Sequence, residues 1–357
     1  MSPKISCGGE HTVLLNDNGL IWSFGRNDIG QLGLGHNISQ HTPQQVNIDN
    51  VKKISCGRFH TVILTHDGLV WTFGSNCHGQ LGLGHNVDQN TPQKVNIENV
   101  KNISCGDNHT VILKHDGSIW SFGQNQSGQL GLDNYTNQNI PQKVDIDDVK
   151  NVYCGSFFTV IVKHDGTVWS FGENSFFGEL GLSHRRNQNT PQQVDIEDVK
   201  EISCGAYHTV ILKYDETVWS FGGDERGQLG LGHNRRTDIP RRIDIVNGKA
   251  VSCKVHHTAI LKYDGSVWSF GENDFGQLGL GHKDDQNIPQ QVDIDNVKEI
   301  SCGMDHTVIL PYDGSVWTVG KNDCGQLGLG HNDDQLILQQ IQNFSLKTPL
   351  VKSANKR

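Results

Sequence analysis

The chain alternates short apolar runs with joints rich in glycine and polar residues, and residues 51–97 contain one full cycle. Lys53-Ile54-Ser55-Cys56 ends at Gly57-Arg58-Phe59, and His60-Thr61-Val62-Ile63-Leu64 follows. Asp67-Gly68 separates that run from Leu69-Val70-Trp71-Thr72-Phe73. Apolar runs of this length, bounded by turn residues, predict strands. Asp-Gly predicts a two-residue type I′ hairpin, because glycine accepts a positive φ. Trp71 and Phe73 fall on one strand face and Val70 on the other. A long Gly/Asn/Gln loop then reaches Pro92, which opens a fourth strand through Val95 and Ile97, proline being tolerated at a strand's first residue. No segment carries a helical period. The fold class is all-β.

The cycle recurs seven times. Trp22, Trp71, Trp120, Trp169, Trp219, Trp268 and Trp317 are spaced by 49 or 50 residues, and Cys7, Cys56, Cys105, Cys154, Cys204, Cys253 and Cys302 keep the same register. Four short strands per unit, apolar on both faces, predict a seven-bladed β-propeller of four-stranded antiparallel blades. An open solenoid would need atypical polar caps at its ends, and neither the first nor the last unit looks like one. The predicted organisation is one propeller over residues 1–346 and a short disordered tail over 347–357. Ring closure is expected where the last fourth strand, Leu338 to Asn343, comes near the first strand, Lys4 to Cys7.

Composition narrows the function. The balance of 30 Lys+Arg against 39 Asp+Glu gives a net charge of −9 and argues against a general binder of DNA or chromatin. No apolar run approaches the roughly 20 residues of a membrane span, and Met1 to Cys7 has no signal-peptide core. The expectation is an intracellular monomer, in cytoplasm or nucleus.

The motifs Cys-Gly-x-x-His-Thr, Asp-Gly-x-Val-Trp and Gly-Gln-Leu-Gly-Leu-Gly resemble those of the regulator of chromosome condensation repeat family over roughly residues 4 to 343. That resemblance implies a seven-bladed propeller. It also implies regulation of a small GTPase, since the founding member is a guanine-nucleotide exchange factor for Ran that also docks on nucleosomes. Other members are a photoreceptor, regions of ubiquitin ligases and an enzyme inhibitor. The exchange factor carries an inserted β-wedge, for which uniform periods of 49 or 50 leave no room. In the family, contact residues fall in the turns after strand one, which implies Asp107, Asp305, His208, His257 and His306 here.

Covalent chemistry has no visible seat. The repeated cysteines have no C-x-x-C spacing and read as small buried strand residues, with Cys77 and Cys324 apart in long loops. The repeated histidines read as structural. Gly-Gln-Leu-Gly-Leu-Gly neither opens a helix nor ends in Lys-Ser/Thr, so it reads as turn chemistry. No catalytic residue, metal or cofactor is assigned, although nucleotide exchange itself needs none.

Candidate functional residues are those that single copies change. Alternating strand direction puts the short turns after strand one and the long loops after strand three on one face. The short turns carry Arg58, Phe59, Phe157, Tyr207 and Met304, and Phe158 replaces the histidine of unit four. The long loop of unit four holds the one extra residue, in Ser175-Phe176-Phe177, and Glu179 where the others have glutamine. Aromatic side chains at such turns predict a protein-binding face. Arg185, Arg186, Arg226, Arg235, Arg236, Arg241 and Arg242 in units four and five oppose Asp284, Asp285, Asp333 and Asp334 in units six and seven, which predicts a polarised face orienting a protein partner. The function expected is a protein-interaction module, with a scaffold or inhibitor that occludes its partner as the alternative.

Overall fold

The computed structural model describes residues 4–174 and 176–347. Lys347 is therefore the only residue of the expected tail that it describes. Among the described residues there is no helix, and so none long and apolar enough to cross a membrane. Twenty-eight strands form seven separate four-stranded antiparallel sheets, each built from consecutive strands. The first blade is β1 (Ile5–Cys7), β2 (His11–Leu15), β3 (Ile21–Gly25) and β4 (Gln40–Gln45); the second is β5 (Val51–Cys56), β6 (His60–Thr65), β7 (Val70–Gly74) and β8 (Gln89–Lys94). The seventh is β25 (Val297–Cys302), β26 (His306–Pro311), β27 (Trp317–Gly320) and β28 (Gln335–Gln340). The chain is a seven-bladed propeller.

Two local expectations need correction. The fourth strand of unit two is β8, so it starts three residues before Pro92 and ends before Val95. Val95 and Ile97 are buried beyond the strand, in the layer between blades. Pro92 sits inside an outer edge strand, where a missing N–H costs nothing if it faces solvent and helps to blunt edge-to-edge association. The Asp67-Gly68 turn is not type I′. Gly68 has φ +80° while Asp67 does not enter the positive region. The bonds Gly68 N→Thr65 O (3.0 Å) and Thr65 N→Leu69 O (3.0 Å) define a type I turn closed by a left-handed glycine.

The core lies between blades. Val13, Leu15, Ile21 and Val46 of the first blade pack on Val51, Ile54, Ile63 and Phe73 of the second, and an equivalent cluster fills every interface. The seventh cluster closes the ring, joining Ile5, Cys7, Leu14 and Phe24 to Val308, Leu310, Val316, Ile341 and Leu346. No sheet is shared between the two ends. β1 packs against β25 and β26, and the segment after β28 brings Phe344 edge-on to Trp22 at 5.6 Å. The Gly-Gln-Leu-Gly motif belongs to this packing. Gly33 has φ +70°, and a Cβ there would come 2.8 Å from the Phe73 ring of the next blade.

Two polar belts lace the blades. In the inner one, the backbone N–H of Cys56 donates to Ser6 Oγ (2.9 Å) and its thiol to Ser6 O (3.3 Å); Cys7, Cys105, Cys154 and Cys302 repeat both bonds. Tyr153 replaces that serine in blade four, and Cys204 loses the pattern. Burial pushes the thiols up, to about 12 for Cys7, Cys154, Cys253 and Cys302. Alkylation of the native protein, followed by mass spectrometry, is therefore expected to label exposed Cys77 first and the seven repeated cysteines only on unfolding. Rapid native labelling of Cys56 would contradict this belt.

The second belt explains the histidines. His11, His60, His109, His208, His257 and His306 each place Nε2 2.9–3.1 Å from a threonine hydroxyl of the next blade, His306 reaching Thr12 across the closure. Each threonine already donates to a carbonyl, as Thr110 does to Gln80 O (2.9 Å), so Nε2 carries the proton and the histidine donates. Burial lowers all six to about 3 and keeps them neutral.

Candidate functional site

The short turns form a backbone ring at one end of the axis. Gly9 N donates to Arg58 O (2.9 Å), Arg58 N to Asp107 O (3.1 Å), Asp107 N to Ser156 O (3.1 Å) and Ser156 N to Gly205 O (3.1 Å). Ala206 N→Val255 O and Met304 N→Gly9 O continue it at 3.3 Å, and among the described residues the backbone ring is open only between the turns of blades six and seven. This ring fixes the turn side chains relative to one another, which a binding face on mobile loops would lack. Lys254 stands where the other six units have glycine, and its ammonium donates to Cys7 O (3.2 Å) and Cys56 O (3.0 Å). Those carbonyls belong to blades on the far side of the axis, so Lys254 spans the channel from blade six.

The aromatic residues divide between two places. In blades four to six they form a ladder running from the long loop onto the turns. Phe176 meets Phe177 edge-on at 4.8 Å, Phe177 meets Tyr207 at 4.6 Å, and Tyr207 stacks on His256 at 5.2 Å. Arg236 lies over Phe176 at 4.6 Å, and Phe176 is 55% exposed. The extra residue of unit four lies in this loop. On the other side, Phe59 is held between the guanidinium groups of Arg26 and Arg58, each 5.2 Å from its ring. Phe157 and Asp305 are half-buried at their turns. Burial raises Asp305 to about 6 despite Lys321 at 4.0 Å.

Four of the expected face residues do not reach the surface. Phe158, His208 and His306 have no exposed area and His257 has 1%. The three histidines belong to the interblade belt, and Phe158 fills the equivalent slot without a hydrogen bond. Asp107 is also buried and accepts a hydrogen bond from Ser156 Oγ (2.9 Å). The charged loops are partly structural too. Asp285 and Asp334 cap their own loops by accepting from Asn273 N (2.9 Å) and Asn322 N (2.8 Å). Arg226 pairs with Asp285 at 3.2 Å, while Arg185 pairs with Asp238 at 3.6 Å. Arg185, Arg186, Arg235 and Arg236 remain exposed. Sequence reasoning passed over His256 and Lys254. The lysine was detectable as a single-copy loss of glycine, whereas nothing in the sequence set His256 apart as the end of a ladder.

Seven four-stranded blades built from one recurring unit and closed into a ring define a repeat propeller. Residues 2–294 match the RCC1-like domain, and residues 297–326 and 313–354 match the regulator of chromosome condensation (RCC1) repeat. The chain belongs to this family.

Solved structures agree on the fold. Human WBSCR16 is 21% identical, with a TM-score of 0.82 over 90% of this chain and 94% of that one. Prp20p of Saccharomyces cerevisiae, described with its binding to Gsp1p and histones, is 23% identical, with a TM-score of 0.83 over 92% and 87%. The same yeast RCC1 bound to Kap60 gives 22% and 0.83 over 92% and 85%. A bifunctional serine/threonine-protein kinase/NEDD4-like E3 ubiquitin-protein ligase of Dictyostelium discoideum is 51% identical over 43 residues, which span 12% of this chain and 2% of that protein.

Proposed function

We propose that this protein is an interaction module that docks a protein partner on its turn-and-loop face, and that the partner is a small GTPase of the Ran type. The observation that carries the docking surface is the ladder Phe176–Phe177–Tyr207–His256, a run of rings on a rigid backbone ring with one end in solvent. Rigid aromatic side chains lose little entropy on binding and supply the anchors of most interfaces. The partner class is supported by family membership and by the yeast relative's binding to Gsp1p. Nucleotide exchange would need no covalent chemistry, only tighter binding of the nucleotide-free GTPase than of the loaded form.

The uniform repeat length favours binding without efficient exchange, because no blade carries an inserted element to reach a nucleotide site. The test is binding of nucleotide-free and loaded Ran, together with fluorescent-nucleotide release. Phe176→Ala and Tyr207→Ala are each expected to weaken binding about thirtyfold, the equivalent of about 2 kcal/mol per anchor. Release is expected to accelerate little. Strong acceleration would replace the occluding reading with exchange, and unchanged binding by both variants would exclude the ladder.

A further inference from the structure

Blade four contains a carboxyl that the rest of the ring lacks. Six repeats place glutamine after the loop glycine, at Gln31, Gln80, Gln129, Gln228, Gln277 and Gln326, and blade four places Glu179 there. One end of each amide serves its own loop, as Gln80 Oε1 accepts from His78 N (2.9 Å) and Gln228 Oε1 from Arg226 N (2.9 Å). The other end can turn to the next blade. Gln80 Nε2 donates to Asn108 Oδ1 (3.4 Å), and Gln228 Nε2 lies 3.3 Å from His256 Nδ1. The residue equivalent to Asn108 and His256 in blade five is Tyr207. The charges of Glu173 and Glu179 both reach Tyr207, which places the two carboxyls near the ladder.

That oxygen is unsatisfied. Glu179 is 1% exposed, and Oε2 has no hydrogen-bond partner among the described residues. Glu173, half-buried on the same loop, adds its charge to that of Glu179. Three other acids of this face have cations: Glu10 has Arg26 at 2.7 Å, Glu272 has Arg226 at 3.6 Å and Asp305 has Lys321 at 4.0 Å. Among the described residues, neither Glu173 nor Glu179 makes an ion pair. Burial raises both, Glu179 to about 8, as expected for carboxyls held without a counter-charge. Tyr207, in contact with the Phe177 ring, lies within reach of both carboxyl charges, and aromatic faces attract a desolvated cation.

We propose that Glu179 and Glu173 receive one basic side chain, a lysine or an arginine, from the docked protein, and that the contacting rings of Phe177 and Tyr207 form one wall of its site. The inference rests on the reading of this face as a docking surface. Glutamine serves that loop position in the other six blades, so Glu179→Gln restores the residue the fold already uses and separates recognition from folding.

The probes are acetyl-Gly-Arg-Gly-amide and acetyl-Gly-Lys-Gly-amide, with acetyl-Gly-Gln-Gly-amide as the neutral control, titrated into the full chain and followed by NMR. Saturable binding of a cationic probe, weakened at least tenfold by Glu179→Gln and less by Glu173→Gln, is the expected result. Equal binding of cationic and neutral probes, absence of saturable binding, or wild-type affinity in Glu179→Gln would each overturn it. If Phe176→Ala abolished partner binding while Glu179→Gln left probe binding untouched, the face would stand and only this receptor would fall.

Discussion

Replacing Ile341 and Leu346 together by alanine is expected to bring the whole propeller close to unfolding, although neither residue lies in a strand. Both are buried, at 2% and 5% exposure, in the cluster that joins the seventh blade to Ile5, Cys7, Leu14 and Phe24 of the first. Large-to-small substitutions in such a core cost about 2–5 kcal/mol each. Together they remove roughly 4–10 kcal/mol from a fold that typically has about 5–15. The ring makes the loss global, because the two ends are joined by packing and single hydrogen bonds such as Cys7 N→Ser301 Oγ (3.2 Å), with no shared sheet. Ile337→Ala, at a side chain 57% exposed on the outer edge of the same blade, is the control and should cost under about 0.5 kcal/mol. Thermal or denaturant unfolding distinguishes the two. Equal stability of the double variant and the control would mean that the ends do not close the ring.

The histidine belt gives the second large effect, and its sign depends on pH. His60→Phe installs the ring that blade four already uses at Phe158, against a glycine placed in the same way, since a Cβ on Gly57 or on Gly155 would lie 2.1 Å or 2.2 Å from the respective ring. At neutral pH the variant loses the bond to Thr110, worth about 1 kcal/mol. His60 titrates at about 3 when folded and near 6.5 when unfolded. The unfolded chain therefore binds its proton more readily, so the contribution of His60 is complete above pH 6.5 and falls as the pH drops. The loss is about 1.4 kcal/mol per pH unit between 6.5 and 3. Comparison of variant with parent isolates this group from the buried carboxyls, which titrate in the opposite sense. His60→Phe should be the less stable protein at pH 7 and the more stable one at pH 5. A difference in stability that does not change with pH would show that His60 is not the buried neutral donor described here.

The architecture was legible because it is written seven times. A repeat cannot bury both faces of its sheet alone, and the even recurrence of Trp22 to Trp317 implied the number of blades. Boundaries were less legible. The turn at Asp67-Gly68 also uses His66, and Pro92 sits within an outer edge strand, neither of which a dipeptide reveals. The site was legible only in outline. Single-copy changes pointed to Phe176, Phe177 and Tyr207, which the structure joins into a ladder. The same logic over-read Phe158, and the family resemblance over-read His208, His257 and His306, because a position beside a turn can point inward as readily as outward. It under-read His256, whose part depends on the stacking partner that Tyr207 supplies from the next blade.

The turn-and-loop face is the one predicted to meet the partner. Amide hydrogen exchange of the full chain, with and without saturating partner (Ran first), reads that face without any substitution. Protection is predicted at residues 176–177, 206–208 and 255–257, with the opposite-face hairpins at 214–217, 263–266 and 312–315 unchanged. Protection confined to those hairpins, with the ladder exchanging as in the free protein, would contradict it.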